Sequence, residues 1–215
     1  MTVPSCRPSR RLVLAAGAVA ACAPGWAFAN PVIGQPAPPF QAMDADGHSR
    51  SLSDFKGKIV VLEWTSSDCP YCGKHYGSGN MQALQKKARK DGVVWLTVSS
   101  SAPGREGYFT PQLARAWRAK VHSKATAILL DGDGKIGRAY GARATPHMFV
   151  IDRAGRMAYM GGIDDRPYQD PASLKGAKNY VALALADLKA GRPVAEPVSA
   201  PYGCSVRYGA VAGYK

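Results

Sequence analysis

The sequence predicts an α/β fold: a central mixed β-sheet flanked by helices, with an N-terminal arm and a C-terminal tail. Three observations carry this expectation. Short apolar runs of strand length alternate with segments of helical periodicity through most of the chain. A Cys-x-x-Cys stands where the first of the long apolar strands gives way to a helix. The last two strands are joined by a tight glycine-containing turn, which returns the chain antiparallel to itself.

Residues 1–29 are set apart as an export signal. Arg7, Arg10 and Arg11 precede an apolar run over residues 12–21, and Ala27-Phe28-Ala29 supplies a small-x-small cleavage site before Asn30-Pro31. Ser9-Arg10-Arg11-Leu12 also matches a twin-arginine signal, and Val19-Ala20-Ala21-Cys22 offers a lipoprotein cleavage that would leave Cys22 at the new N-terminus. The later site is preferred for the polar, proline-rich start that follows it. The apolar run is about half of the ~20 residues that a helix needs to cross a bilayer, so no permanent span is expected.

Residues 30–215 then form one domain, with a tail from about residue 193. Residues 31–57 are rich in proline and glycine around a turn at Asp44-Ala45-Asp46-Gly47, and read as a loose arm or short hairpin. Residues 59–64 are apolar except for Glu63, suited to a buried strand. A helix follows from Tyr71, is interrupted by Gly77 and Gly79, and resumes with Met81, Leu84 and Ala88 on one face. Residues 93–98 are a second strand, Thr110-Pro111 opens a helix to about Val121, and residues 127–130 are a third strand. A helical turn over 136–141 leads to a fourth strand, 147–152, which turns at Gly155 into 157–161. A final amphipathic helix over 179–190 is closed by Gly191 and Pro193.

With 46% apolar and 20% charged residues, the 215-residue chain belongs to the ordinary globular class. Five cysteines are too few for a disulfide-framed scaffold, which makes them chemical rather than structural. The signal removes Cys6 and Cys22 and leaves Cys69, Cys72 and Cys204. A formal charge of +13 favours anionic partners, yet the cations are scattered, and the densest group, Lys86, Lys87, Arg89 and Lys90, reads as a solvated helix face. No nucleic-acid partner is expected.

The chemistry concentrates at Cys69-Pro70-Tyr71-Cys72. At a strand-to-helix junction the first sulfur sits at a helix N-terminus, where unpaired amides and the helix dipole favour thiolate over thiol. Cys69 is therefore the expected nucleophile, and Cys72, about one turn on and shielded by the helix, the resolving thiol. A c-type haem would need a histidine at position 73, where Gly73 stands. A zinc site would have Cys69, Cys72 and His75 and lack a fourth ligand. A purely structural disulfide would close too short a loop to stabilise the fold much. No cofactor and no metal are expected.

With these residues in view the chain resembles the thioredoxin superfamily, and within it the exported thioredoxin-like and AhpC/TSA-type redoxins. The matching features are the segment 60–72 ending in Asp68-Cys69-Pro70-Tyr71-Cys72, Thr145-Pro146 before a strand, the Phe149-Val150-Ile151-Asp152 strand with its Gly155 turn, and Gly161-Gly162-Ile163-Asp164. The resemblance covers roughly residues 32–208 and implies a thiol-disulfide oxidoreductase working in the bacterial periplasm. It implies a cis Pro146 facing the active-site sulfurs, substrate contacts from Pro70, Tyr71 and Thr145, and a buried Glu63 that takes the proton of Cys72 as it attacks a mixed disulfide. An acid in an apolar strand is costly unless functional or paired, which fits that role. The tail Tyr202-Gly203-Cys204-Ser205-Val206 resembles the ending of a redoxin subgroup with a Lys-His-Tyr after the front motif, here Lys74-His75-Tyr76. There the implied disulfide is Cys69 to Cys204; here Cys69 has two resolving partners to choose from, so Cys204 is either the third thiol of a relay that passes electrons in or out or a spare thiol in a flexible tail. The implied partners are protein disulfides or hydroperoxides, and a thiol reductant or membrane electron donor.

Peroxide reduction is the first alternative activity. Ser66 occupies the hydroxyl position of the peroxidase motif, while its proline position holds Leu62. A Cu(I) chaperone is the second, with Cys69 and Cys72 joined by His147 or Met148. Gly132-x-Gly134-x-x-Gly137 with Asp152 formally fits a dinucleotide fingerprint, but Pro146 leaves too short a helix for it. Lys74 and His75 either support the thiolate or lie on the helix surface.

Overall fold

The computed structural model describes residues 30–210; the expected export signal and its alternative cleavage at Cys22 lie outside the described residues. The arm is ordered by pairing: β1 (Gln41–Met43) and β2 (Ser49–Ser51) form an antiparallel hairpin, and Ser51 and Asp54 cap a 3-10 turn at Leu52–Phe55 through a capping box. β3 (Val60–Trp64) follows, then α1 (Pro70–Gly77), α2 (Asn80–Lys90) and β4 (Val94–Ser99). The expected break at Gly77 and Gly79 separates the two helices, and Lys86, Lys87, Arg89 and Lys90 lie exposed on α2.

α3 (Pro111–Lys120) starts under a Thr110 cap and leads to β5 (Ala127–Leu130). After α4 (Lys135–Ala139) and the two-residue β6 (Ala144–Thr145) come β7 (His147–Ile151) and β8 (Met157–Gly161), the expected hairpin. α5 (Tyr180–Lys189) is capped by Asn179, and the tail ends in β9 (Cys204–Ser205).

The central sheet runs β5-β4-β3-β7-β8, with β3, β4 and β5 parallel and β7 and β8 antiparallel. Every residue of β3, β4 and β7 is buried, which explains their near-continuous apolar sequence: both faces of the sheet are covered. One face packs Val61, Trp95, Met148 and Val150 against Tyr76, Met81, Leu84, Trp117 and Val181 of the helices. The other packs Leu62, Trp64, Leu96 and Phe149 against Ile136, Tyr140 and the arm residues Phe40 and Phe55. Glu63 points into the first face and Trp64 into the second, as strand alternation requires.

Two elements exceed the expectation: β6 and β9, too short to show a period, pair antiparallel and fasten the tail beside the sheet. The tail also accounts for two glycines of the motif at 132–137, Gly134 and Gly137, which both face Tyr208. A Cβ at Gly137 would lie 2.3 Å from the Tyr208 hydroxyl, so that glycine makes room for the tail's ring. No helix of the described residues is long and apolar enough to cross a membrane.

Candidate active site

At the end of β3 the chain leaves the sheet, and Cys69 becomes the N-cap of α1 with Pro70 in its first turn. Cys69 and Cys72 are 3% and 2% exposed. The Thr145–Pro146 peptide bond is cis and joins β6 to β7, bringing the Thr145 carbonyl within 2.9 Å of the Cys69 sulfur, whose thiol form donates to it. β9 pairs Cys204 with Thr145, and the Thr145 hydroxyl donates to the Cys204 carbonyl at 3.3 Å. The structure thus brings Cys69, Cys72, Cys204, Thr145 and Pro146 together, with all three cysteines as free thiols. Pro70 is exposed at the helix start, and Tyr71 meets the Tyr202 ring at 5.9 Å.

Cys69 is the middle sulfur. The Cys72 thiol foremost, against the opposing effect of burial, and then the Cys204 thiol and the Cys72 amide hold its pKa down at about 4. Burial, and then the hydrogen bond and charge of Cys69, push Cys72 well above the usual thiol range and Cys204 up to about 12. The Thr65 hydroxyl, buried with no hydrogen-bond partner, acts weakly against that rise at Cys72. Charge therefore resides on Cys69 and protons on its two neighbours. In the fully reduced protein the thiolate absorbance near 240 nm is expected to titrate with a midpoint near pH 4. In Cys72→Ala the midpoint moves up, because the largest stabilising donor is gone; an unchanged midpoint would assign the thiolate to another cause.

Glu63 is fully buried in β3. Its carboxyl accepts from Trp95 Nε1 at 2.7 Å, Tyr76 Oη at 2.7 Å, Gln85 Nε2 at 3.1 Å and the Thr97 hydroxyl at 3.5 Å, and neither cysteine is among these partners. Desolvation raises its pKa from 4.5 to about 7, against the pull of those four donors. The folded state therefore binds the proton more tightly than the unfolded chain. Its stabilising effect is complete below about pH 4.5 and is lost as pH rises through 7. Glu63→Gln, which keeps an acceptor for Trp95, is expected to remove that loss and stabilise the protein by roughly 3 kcal/mol at pH 8 relative to wild type. Urea unfolding at pH 5 and pH 8 checks it.

Two features escaped the sequence, the burial of Lys74 with His75 and that of Gln85, whereas Trp64 takes the core position expected of an apolar-strand tryptophan. Lys74 and His75 are not on the surface: they are 2% and 0% exposed, facing Tyr202 and Asp164 from the middle of α1. Gln85, on the inner side of α2, is fully buried against Glu63. Trp64 belongs to the core, its Nε1 donating to Ser100 Oγ at 2.9 Å. Of the copper alternative's ligands, His147 turns Nδ1 to the Arg143 amide and its ring to Phe149, while Met148 is buried in the core. No group of three or more His, Cys, Asp and Glu among the described residues is arranged to hold a metal ion.

A mixed five-stranded sheet with a Cys-x-x-Cys at the mouth of its first long strand and a cis-proline opposite defines a thioredoxin-like redoxin. The chain belongs to the AhpC/TSA family, whose model matches residues 33–160. It is 28% identical over 125 residues to the thiol-disulfide oxidoreductase ResA of Bacillus thuringiensis subsp. konkukian, a match covering 58% of this chain and 66%, just under two thirds, of ResA. It is also 28% identical over 136 residues to the chloroplastic peroxiredoxin Q of Populus jackii, covering 60% of this chain and 59% of that one. The crystal structure of an uncharacterized conserved protein from Geobacillus kaustophilus superposes with a TM-score of 0.74 at 24% identity, over 84% of this chain and 94% of its own, which shows the shared fold.

Proposed function

We propose that this chain is a thiol-disulfide oxidoreductase in which Cys69 attacks, Cys72 resolves and Cys204 serves as a third thiol. The observation that carries the reading is the convergence of three free thiols on the cis Thr145–Pro146 bond, where the Cys69 sulfur lies 2.9 Å from the Thr145 carbonyl and β9 sets Cys204 opposite Thr145. The Cys69 thiolate attacks one sulfur of a substrate disulfide, and the other sulfur leaves and takes up a proton. Cys72 or Cys204 then gives up its proton and attacks the Cys69 sulfur, releasing the second substrate thiol and leaving an internal disulfide. A two-electron thiol reductant or membrane donor restores the dithiol. The buried Glu63 is the acceptor assigned to the resolving proton, Pro70, Tyr71 and Thr145 contact the substrate, and residues 1–29 direct the protein into an exported, oxidising compartment. The ResA similarity supports the reaction class.

One observation favours a second reading. Cys69 is almost enclosed, a setting that admits a hydroperoxide more readily than a protein disulfide, and Ser66 sits in the turn before it. The two are separated by assay. The proposal expects the protein to accelerate dithiothreitol-driven insulin reduction well above the uncatalysed rate. Catalytic consumption of hydrogen peroxide with insulin left oxidised would overturn it in favour of the peroxidase.

A further inference from the structure

Two residues before Cys204, the tail places a phenol hydroxyl into a buried polar socket. Tyr202 Oη donates to Asp164 Oδ1 at 2.6 Å and lies 3.0 Å from His75 Nε2 and 3.4 Å from Lys74 Nζ. Asn80 Nδ2 sits 2.8 Å from His75 Nδ1, so Nδ1 accepts and the neutral ring presents its proton from Nε2 to Tyr202. Desolvation holds His75 neutral, with a pKa near 4. Lys74 Nζ donates to the Arg166 carbonyl at 2.6 Å and stands 5.0 Å from the Tyr202 ring centre, and the Tyr71 ring lies 5.9 Å from the same ring. Lys74, His75 and Asp164 are each at most 2% exposed, and Asp164 Oδ2 has no hydrogen-bond partner.

Buried charges are retained where they specify a geometry rather than where they add stability. Nothing in the exchange reaction above uses this set; what it grips is the tail. Downstream, Tyr208 Oη donates to the Ala142 carbonyl, so the chain is pinned on both sides of Cys204, and Tyr202 is the nearer pin. Between the pins the tail is held by the two-residue β9 ladder, marginal by itself, and by two backbone hydrogen bonds beyond Cys204, Val206 N to the Arg143 carbonyl at 3.3 Å and Ala102 N to the Arg207 carbonyl at 2.9 Å, so Tyr202 is the side-chain anchor on the N-terminal side.

We propose that Tyr202 is a positioning residue that sets how much of the Cys69 sulfur is captured by Cys204 rather than by Cys72. This rests on the thiol-disulfide reading. In the Cys69–Cys72 disulfide, Cys204 gives up its proton and attacks the Cys69 sulfur. The bond to Cys72 breaks, and the Cys72 sulfur leaves and takes up a proton. The two electrons stay within the protein, so no oxidant is needed. The balance between the two disulfides measures the effective concentration of Cys204 at Cys69, which the socket raises.

The test equilibrates the full chain in a glutathione redox buffer, traps free thiols with acid and alkylating agent, and quantifies both disulfides by peptide mass spectrometry. Tyr202→Phe keeps the ring and removes the hydroxyl. It is expected to lower the ratio of Cys69–Cys204 to Cys69–Cys72 by about five- to tenfold, the effect of one hydrogen bond. Asp164→Asn loosens the same socket without touching the tail and should shift the ratio in the same direction, which covers the case of a Phe variant that does not fold. Ser205→Ala, an exposed tail substitution outside the socket, should keep the wild-type ratio. An unchanged ratio in Tyr202→Phe, or a wild type that forms Cys69–Cys72 alone, overturns the clamp while leaving the exchange reading intact. A wild type that forms neither disulfide overturns the exchange reading itself.

Discussion

Cys69→Ser is expected to lose disulfide-exchange turnover by on the order of 10⁴-fold or more, the scale on which a covalent nucleophile is missed. The loss should come without unfolding. Serine is close in size, and the hydroxyl, like the thiol, can donate to the Thr145 carbonyl and accept from Cys72. The two flanking thiols should behave differently. Both converge with Cys69 on the Thr145–Pro146 bond, so each can resolve a mixed disulfide in the absence of the other. Cys72→Ser and Cys204→Ser should each keep part of the activity, and the double variant should stall as a stable mixed disulfide with its substrate, visible as a mass increase that dithiothreitol removes.

Gly203→Val is the second large effect. Gly203 has φ +126, and a Cβ there would fall 1.9 Å from the Thr145 carbonyl oxygen, against backbone that cannot yield. Residues 203–205 must then leave β6. Strain of about 1–3 kcal/mol at such a backbone position shifts the balance between seated and displaced tail by about 5- to 150-fold. Cys69 is expected to react with iodoacetamide faster by that factor, while the yield of the Cys69–Cys204 disulfide falls. The central sheet does not include β9, so thermal stability should drop much less than for a core substitution. An iodoacetamide rate equal to wild type would show that the tail does not enclose Cys69.

What was legible in the sequence was local. The strands of the central sheet showed as apolar runs because both faces are covered, and the cysteine motif announced itself by spacing at a strand-to-helix junction. Glu63 was visible as an acid in such a run, but its partners were not: Trp95 and Thr97 come from β4, Tyr76 from α1 and Gln85 from α2, a set assembled only by register and packing. Lys74 and His75 read equally as surface residues because the group that buries them, Tyr202, lies 128 and 127 positions away. The tail motif was legible as a pattern, yet the reason for its glycine appears only once β9 lies against Thr145. Elements of two residues, β6 and β9, carry no periodicity to detect, and they decide where the third thiol goes.

The central claim is that Cys69 is the sulfur common to every exchange. Reaction of the fully reduced wild-type protein with one equivalent of a small aromatic disulfide, followed by acid trapping and peptide mapping, tests it directly. The account predicts Cys69–Cys72 and Cys69–Cys204 linkages with no Cys72–Cys204 linkage, and no internal disulfide at all in Cys69→Ser. A Cys72–Cys204 disulfide in the wild type, or any internal disulfide in Cys69→Ser, would contradict it.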